Sequence, residues 1–214
     1  MPSEADDHEE IAEWRAPAAA PLFDRSTRGR LLTAVATVAA HGGYREATVE
    51  RVLETAGASW ADFTSEFESL ADCFLAAQSA ALECAALQAE RAAVEARAAE
   101  GPEAAFDAGL GRLLETISAH ADIARLALVE SAAMGGVGIE RREAGLQRFI
   151  SLLQDVAART GASLPPLAAE MMAGGIYEIL QRKVAAGQLD QHEDLAAELR
   201  RLWLPLMGHG DSPK

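Results

Sequence analysis

Gly43-Tyr44-Arg45-Glu46-Ala47-Thr48-Val49 precedes a short run with apolar residues at helical spacing, and that run ends in Ala56-Gly57-Ala58-Ser59. Thr48 is a good N-cap for this run, and Gly57 permits a left-handed stop at its end. Ser59 can cap a second short helix, with Asp62 at the capping-box position three residues later. Two short helices joined by a turn that contains a glycine predict a helix-turn-helix arrangement.

The rest of the chain also has helical periodicity. Before the pair, Leu31, Val35 and Val38 recur on one face of a helix that starts near Ser26 and ends at the glycines after His41. Further helices are predicted near 69–99, 102–119, 121–134, 139–160, 165–187 and 191–207, separated by glycines and prolines. No segment alternates as a strand bounded by hairpin turns does, so we expect an all-α protein.

These patterns divide the chain into four parts. Residues 1–23 mix acidic side chains with prolines and alanines, which predicts a disordered acidic arm. Residues 24–76 form a small three-helix domain with the helix-turn-helix. Residues 77–208 form a larger helical bundle, and residues 209–214 are a tail.

Length and composition bound the class of protein. A chain of 214 residues that is 50% hydrophobic can bury one substantial core, or a small domain joined to a larger one. No apolar run reaches the roughly 18 residues of a membrane span, and the first ten residues are acidic where a secretory signal is basic and then apolar. We therefore expect a cytoplasmic protein.

The net charge of −14 opposes a nucleic-acid partner, because Lys and Arg that neutralise phosphates supply most of the affinity for a duplex. No part of the chain is basic overall. A local positive cluster does occur at the start of the small domain, where Arg25, Arg28 and Arg30 lie close together in sequence.

Several kinds of site have little support. Cys73 and Cys84 lie eleven residues apart in one predicted helix, about 16 Å at 1.5 Å per residue, which is too far for a disulfide. Motifs of the CxxC or HExxH type are absent, so no metal is predicted. There is also no phosphate-binding glycine loop and no GxSxG elbow, and we expect neither an enzyme nor a cofactor.

The second helix of the pair would be the one that reads DNA. Phe63 and Phe67 share a face that must point into the small domain. The residues that would meet base edges or phosphates in a major groove are Trp60, Ala61, Asp62, Thr64 and Ser65. None of them is cationic or an amide, so this face offers hydroxyl groups and a carboxylate.

Residues from about 26 to 77 resemble the N-terminal domain of the tetracycline-repressor (TetR/AcrR) family of transcription regulators. The matching features are the helix from Arg30 to His41, Gly43-Tyr44, Thr48-Val49, Ala56-Gly57-Ala58-Ser59, Phe63, Phe67 and Asp72-Cys73-Phe74-Leu75-Ala76-Ala77. The sequence departs from the family pattern where Asp62, Thr64, Ser65-Glu66 and Leu70 replace residues that are usually Thr, aromatic or basic. The scaffold pattern is kept, and the phosphate-contact pattern is largely lost.

The resemblance implies double-stranded operator DNA as a partner and assigns further contacts. In this family the start of the first helix contacts phosphates. The tyrosine before the second helix can also reach the backbone of the duplex. The residues carried over, beside those of the reading helix, are Arg25, Thr27, Arg28, Arg30, Tyr44, Thr48 and Ser59. Thr48 and Ser59 are caps on any interpretation, and Tyr44 can equally be a core aromatic.

The C-terminal part is similar to the last two helices of many such regulators, which pair with their copies in a four-helix dimer interface. The small residues Ala173, Gly174 and Gly175 would let another backbone approach closely. The predicted homodimer interface comprises Gly174, Gly175, Glu178, Arg182, Leu199 and Trp203.

The bundle between these parts should enclose a pocket for an unknown small-molecule effector, because helical bundles form cavities between facing side chains. Candidates to line it are His120, Glu130, Met134, Met171 and Tyr177, each of which can also be an ordinary core or edge residue.

Two functions stay open at this point. The first is a ligand-responsive, dimeric, operator-binding regulator, usually a repressor. The second is a helical sensor or interaction protein that kept the fold and lost most DNA affinity.

Overall fold

A computed structural model describes residues 24–159, 161–189, 192–203, 205 and 208–209. The predicted acidic arm, and the predicted tail apart from His209, lie outside the described residues. The helices are α1 (Thr27–Gly42), α2 (Val49–Ala56), α3 (Trp60–Glu66), α4 (Leu70–Glu100), α5 (Pro102–Ala119), α6 (Ala121–Leu128), α7 (Gly136–Arg159), α8 (Pro166–Ala185) and α9 (His192–Trp203). Short 3-10 turns occupy Tyr44–Glu46 and Glu130–Met134.

The predicted all-α class is confirmed. The described residues add one antiparallel pair of two-residue strands, β1 (Ala162–Ser163) and β2 (Gly208–His209), in which Ala162 faces His209 and Ser163 faces Gly208. Such short strands leave no alternation in the sequence.

Two large clusters of buried side chains, and a small third one around Ile150, form the interior of the described part of the chain. The first joins α1, α2, α3 and the start of α4, with Leu31, Val52 and Phe74 fully buried at its centre. The second joins the rest of α4 with α5, α8 and α9, around Leu114 and Met172. Helix α4 contributes to both clusters.

Helix α6 crosses the boundary between the two clusters. Leu126 and Ala127 are buried in the first cluster, whereas Ala124 and Leu128 are buried in the second. Since neighbouring residues of this helix fill two different cores, displacement of α6 must disturb the packing of both clusters.

Helix α4 is also long and apolar enough over Leu70–Arg97 to cross a membrane, by length and composition. It supplies Phe74 to one cluster and Ala89 to the other. Its polar side is paired with α7, since Arg148 contacts Glu83 at 2.9 Å and Arg159 contacts Glu90 at 2.7 Å. This is the packing of a core helix.

Both cysteines are buried and unpaired. Removal from water raises the pKa of the Cys73 thiol to about 12, and burial also raises the pKa of Cys84. Because the thiolate is the reactive form, both are structural residues.

One predicted boundary is wrong at the α6–α7 junction. The sequence predicts a single helix over 121–134 and a second one from 139, but α6 ends at Leu128 and α7 begins at Gly136. Gly138, which we took for a helix breaker, lies inside α7 and is buried. A Cβ there would collide with the backbone carbonyl of Ser131, so the glycine is needed for close approach.

We expect Gly138→Ala to lower the free energy of unfolding by about 1–3 kcal/mol, because the backbone of the 3-10 turn must move away from the added methyl group. Gly136→Ala is the matched control, since a Cβ at Gly136 meets no atom within 4 Å. Urea unfolding followed by circular dichroism measures both. Equal stability of the two variants would contradict this close packing.

Candidate DNA-facing surface and internal cavity

The helix-turn-helix is assembled by local hydrogen bonds. Gly57 ends α2 in the left-handed conformation with φ of 59°, and the Ala58 N–H donates to the Leu53 carbonyl at 3.0 Å. Ser59 then caps α3. Phe63 and Phe67 are buried at 2% and 3% exposure, as their spacing predicted, and they fix which side of α3 faces outward.

The outward side of α3 carries Trp60, Ala61, Thr64 and Ser65, all exposed. The Thr64 hydroxyl donates to the Trp60 carbonyl at 3.1 Å, and the Ser65 hydroxyl donates to the Asp62 carbonyl at 2.8 Å. Both hydroxyl hydrogens therefore point back at the helix. To donate to a phosphate, each must first leave its own backbone partner.

Asp62 is a capping residue. Its carboxylate accepts hydrogen bonds from the Ser59 N–H at 2.8 Å and the Ser59 hydroxyl at 2.7 Å. These two bonds lower the pKa of Asp62, and the bond from the backbone N–H has the larger effect. The nearby charge of Arg30 acts in the same direction. The negative charge is retained at neutral pH, but it is directed at the helix N-terminus, where it is favourable.

Arg28 is engaged inside the domain. Its guanidinium contacts the Glu66 carboxylate and donates to the Glu66 carbonyl, both at 3.3 Å. It also lies 4.6 Å from the centre of the Phe67 ring. The contact neutralises one of the two glutamates at the end of α3, so the face is less acidic than the sequence indicates.

The other predicted DNA contacts are placed as follows. Arg25, Arg30 and Thr48 are exposed, and Thr27 is half-buried at the first position of α1. Thr48 caps α2 by accepting from the Arg51 N–H at 3.3 Å. Two exposed arginines that the sequence analysis did not select, Arg45 and Arg51, flank Thr48. Their closeness in sequence to Thr48, a predicted DNA contact, could have identified them.

Tyr44 links the small helix-turn-helix domain to the bundle. Its ring packs edge-on against Phe74 with centroids 4.8 Å apart, and its backbone N–H donates to the Glu130 carboxylate at 3.1 Å. The other Glu130 oxygen lies 3.3 Å from Arg125 Nε, an ion-pair distance without hydrogen-bond alignment. Glu130 is 9% exposed. It therefore acts as an internal tether between α6 and the turn before α2.

A cavity of about 200 Å³ lies within the bundle, between α4, α5, α6, α7 and α8. Most of its wall is apolar, with side chains such as Leu82, Leu113, Ile117, Phe149 and Leu180. Arginines of α7 are among its polar residues. Such a space suits an organic ligand that is largely apolar.

The predicted pocket residues separate into two groups. His120 and Tyr177 line the cavity, and burial raises the pKa of the Tyr177 phenol. Glu130, Met134 and Met171 do not line it. Glu130 is the tether, Met134 packs on the first cluster, and Met171 is 56% exposed on α8. An apolar neighbourhood in sequence did not distinguish a cavity wall from a domain junction or an outer face.

The predicted interface residues also separate. Gly174 is open, because a Cβ there would meet no atom within 4 Å, and Glu178 and Arg182 form an exposed pair at 3.6 Å. Gly175 instead makes room for Trp203 of the same chain, whose ring would lie 3.0 Å from an added Cβ. Leu199 is 1% exposed and lies in the chain's own core, so its predicted place in the dimer interface is wrong.

The described residues thus form a helix-turn-helix joined to a larger helical bundle that contains a cavity. Neither a protein-family model nor a curated protein sequence matches this chain. Solved structures do match its fold. The fatty acid degradation regulator FadR from Bacillus halodurans superposes with a TM-score of 0.69 over 83% of this chain and 94% of that protein, at 17% identity.

FadR from Bacillus subtilis, solved in complex with stearoyl-CoA, superposes with a TM-score of 0.67 over 83% of this chain and 97% of that protein, at 15% identity. The TetR regulator TylP from Streptomyces fradiae superposes with a TM-score of 0.59 over 85% of this chain and 86% of that protein, at 16% identity. The chain therefore has the fold of the TetR-family transcriptional regulators, and the resemblance seen in the sequence is confirmed at that level.

We expect Glu130→Ala to lower the free energy of unfolding by about 1–3 kcal/mol, because it leaves the Tyr44 N–H without its acceptor and Arg125 without its ion-pair partner. Glu130→Gln keeps an oxygen for Tyr44, so its loss should be smaller. Glu140→Ala, at an exposed glutamate of α7, is the control. Urea unfolding gives the order, and a Glu130→Ala protein as stable as the control would show that the tether contributes nothing.

Proposed function

We propose that the protein is a ligand-responsive, dimeric, DNA-binding transcriptional regulator of the repressor type, acting in the cytoplasm without enzymatic activity. The observation that carries this proposal is the shared helix α6. Its residues lie in the core beneath the helix-turn-helix and also line the cavity, as Ala127 does. A binding site for a small molecule is therefore one helix away from a surface shaped to enter a groove.

The response follows from geometry. In a dimer, two copies of α3 must fit successive major grooves about 34 Å apart. A ligand that moves α6 also pulls on Tyr44 through Glu130, at the turn that precedes α2. Ligand binding changes the separation of the two reading helices, and operator affinity falls.

The cavity supports a ligand with an apolar body. Its wall is dominated by aliphatic side chains, and a protein of the same fold, Bacillus subtilis FadR, has been solved with stearoyl-CoA. An acyl-type effector is the class that fits this wall.

The dimer is proposed to form through α8 and the end of α9. Leu167, Met171 and Leu202 are 68%, 56% and 62% exposed, and Gly174 and Glu178 continue the same face of α8 at helical spacing. Large exposed apolar side chains on one face favour a protein partner. A second copy of the chain covers this face in the proposed assembly.

A second candidate function is a helical sensor that has lost most of its affinity for DNA. It is favoured by one observation, that α3 from Trp60 to Glu66 carries two carboxylates and no cationic side chain. Under this alternative the cavity and the dimer persist, and α3 meets a protein instead of a duplex.

We expect the wild-type protein to bind duplex from the region upstream of its own gene with an affinity that falls steeply with salt. Arg30→Gln should make the slope of log K against log salt shallower by about 1, because one phosphate contact is lost. Arg112→Gln is the control, since Arg112 lies on α5 and is paired with Glu115 at 2.9 Å. Fluorescence anisotropy from low to physiological salt measures both slopes.

Absence of duplex binding even at low salt would favour the sensor. An Arg30→Gln slope identical to that of Arg112→Gln would remove the start of α1 from the DNA-facing surface.

We expect Met171→Glu to weaken the dimer at least tenfold, because it places a charge in an apolar contact without disturbing the monomer. Ile139→Glu, at a 64% exposed position on α7, is the matched control. Sedimentation equilibrium compares the two. A Met171→Glu dimer as tight as the control would refute the α8 face.

A further inference from the structure

Gln78 is the buried amide of the cavity wall. It is 2% exposed, and its Nε2 donates to the Ala127 carbonyl at 3.3 Å. The Ser131 hydroxyl donates to the same carbonyl at 3.2 Å. Because a carbonyl accepts and cannot donate, the Gln78 amide must present nitrogen to Ala127, and its orientation is fixed.

The Gln78 oxygen is then the unused polar atom of this cavity-lining side chain. Among the described residues Oε1 has no hydrogen-bond partner. A buried acceptor without a donor is unfavourable, so a ligand that brings a hydroxyl or N–H to this point gains affinity over one that brings a methylene.

Two arginines of α7 are held at the rim of the same cavity. Arg141 donates to the Ser79 hydroxyl at 3.3 Å, and Arg142 lies 4.8 Å from the centre of the Tyr177 ring. Ser79 and Tyr177 both line the cavity. Both guanidinium groups are thus held against side chains that line the cavity.

The charge of these two arginines is uncompensated. A third arginine of the rim, Arg148, is paired with Glu83 at 2.9 Å. Arg141 and Arg142 have no carboxylate within ion-pair distance in the parts of the chain described. In a protein with a net charge of −14, two unpaired guanidinium groups beside an apolar cavity select an anion.

The anion-binding group and the acceptor are close together along α4. Ser79, which contacts Arg141, directly follows Gln78, and consecutive Cα atoms are about 3.8 Å apart. Both contacts are thus made to one turn of α4, and the probe chosen to reach them carries its hydroxyl near its charged end.

We propose that the cavity takes an amphiphilic anion with an apolar chain, its charged group bound by Arg141 and Arg142 and a hydroxyl near that group donating to Gln78 Oε1. The inference rests on the proposed function in so far as this ligand is the effector. It names the ligand class more finely than an acyl chain alone, because the Gln78 oxygen discriminates between plain and hydroxylated chains.

The first experiment uses the unmodified protein and three probes of the same chain length. Isothermal titration calorimetry without DNA compares decanoate, decan-1-ol and 3-hydroxydecanoate. We expect decanoate to bind at least tenfold more tightly than decan-1-ol, and 3-hydroxydecanoate to bind roughly tenfold more tightly than decanoate. Equal binding of acid and alcohol, or no binding by any probe, overturns the anion site.

Variants then assign the two contacts. Arg141→Gln with Arg142→Gln should abolish the preference for decanoate over decan-1-ol. The control is Glu83→Gln with Arg148→Gln, which removes a rim pair without changing net charge and should keep the preference. Gln78→Met should bind decanoate and 3-hydroxydecanoate equally well, whatever its affinity for decanoate itself. A hydroxyl preference that survives Gln78→Met overturns the role of Gln78.

The outcome is separable from that of the proposed function. Probe binding by a protein that shows no affinity for duplex leaves the ligand class standing and removes the regulator. Duplex binding by a protein that takes up none of the probes does the reverse.

Discussion

The arrangement depends on the burial of α6 in two cores at once. Leu126 and Ala127 fill the cluster under the helix-turn-helix, and Ala124 and Leu128 fill the cluster of the bundle. Since interiors are close-packed, this short helix cannot shift without repacking both sides. Glu130, immediately after it, adds a polar contact to the Tyr44 backbone. The proposed coupling between cavity and DNA-facing surface therefore requires no long chain of intermediates.

Local chemistry explains why so much of the fold could be predicted. Thr48, Gly57, Ser59 and the buried pair Phe63 and Phe67 each act within one or two helical turns, and the structure places all of them as the spacing indicates. The α6–α7 junction was mispredicted because its geometry is set by a backbone contact that no residue pattern marks. Gly138 is small to let the Ser131 carbonyl approach, and a glycine's sequence context does not reveal which neighbour it accommodates.

The candidate sites were less predictable for the same reason. Whether an apolar or charged residue lies at a cavity, a junction or an outer surface is decided by helices distant in sequence. Glu130 faces Tyr44, 86 positions earlier, and Arg28 is held by Glu66, 38 positions later. Leu199 was placed in the interface by the family resemblance, but it is buried against its own chain. The cavity's Gln78 and α7 arginines gave no signal in the sequence.

The carbonyl of Ala127 accepts from both Gln78 and Ser131, so the cavity and the junction share one peptide group. This sharing constrains how the protein can diverge. Substitutions that reshape the wall at α6 also alter the packing beneath the helix-turn-helix. Leu113, Phe149 and Leu180 line the cavity from α5, α7 and α8, away from that carbonyl. Descendants with new ligand preferences should therefore accumulate their changes on those three helices.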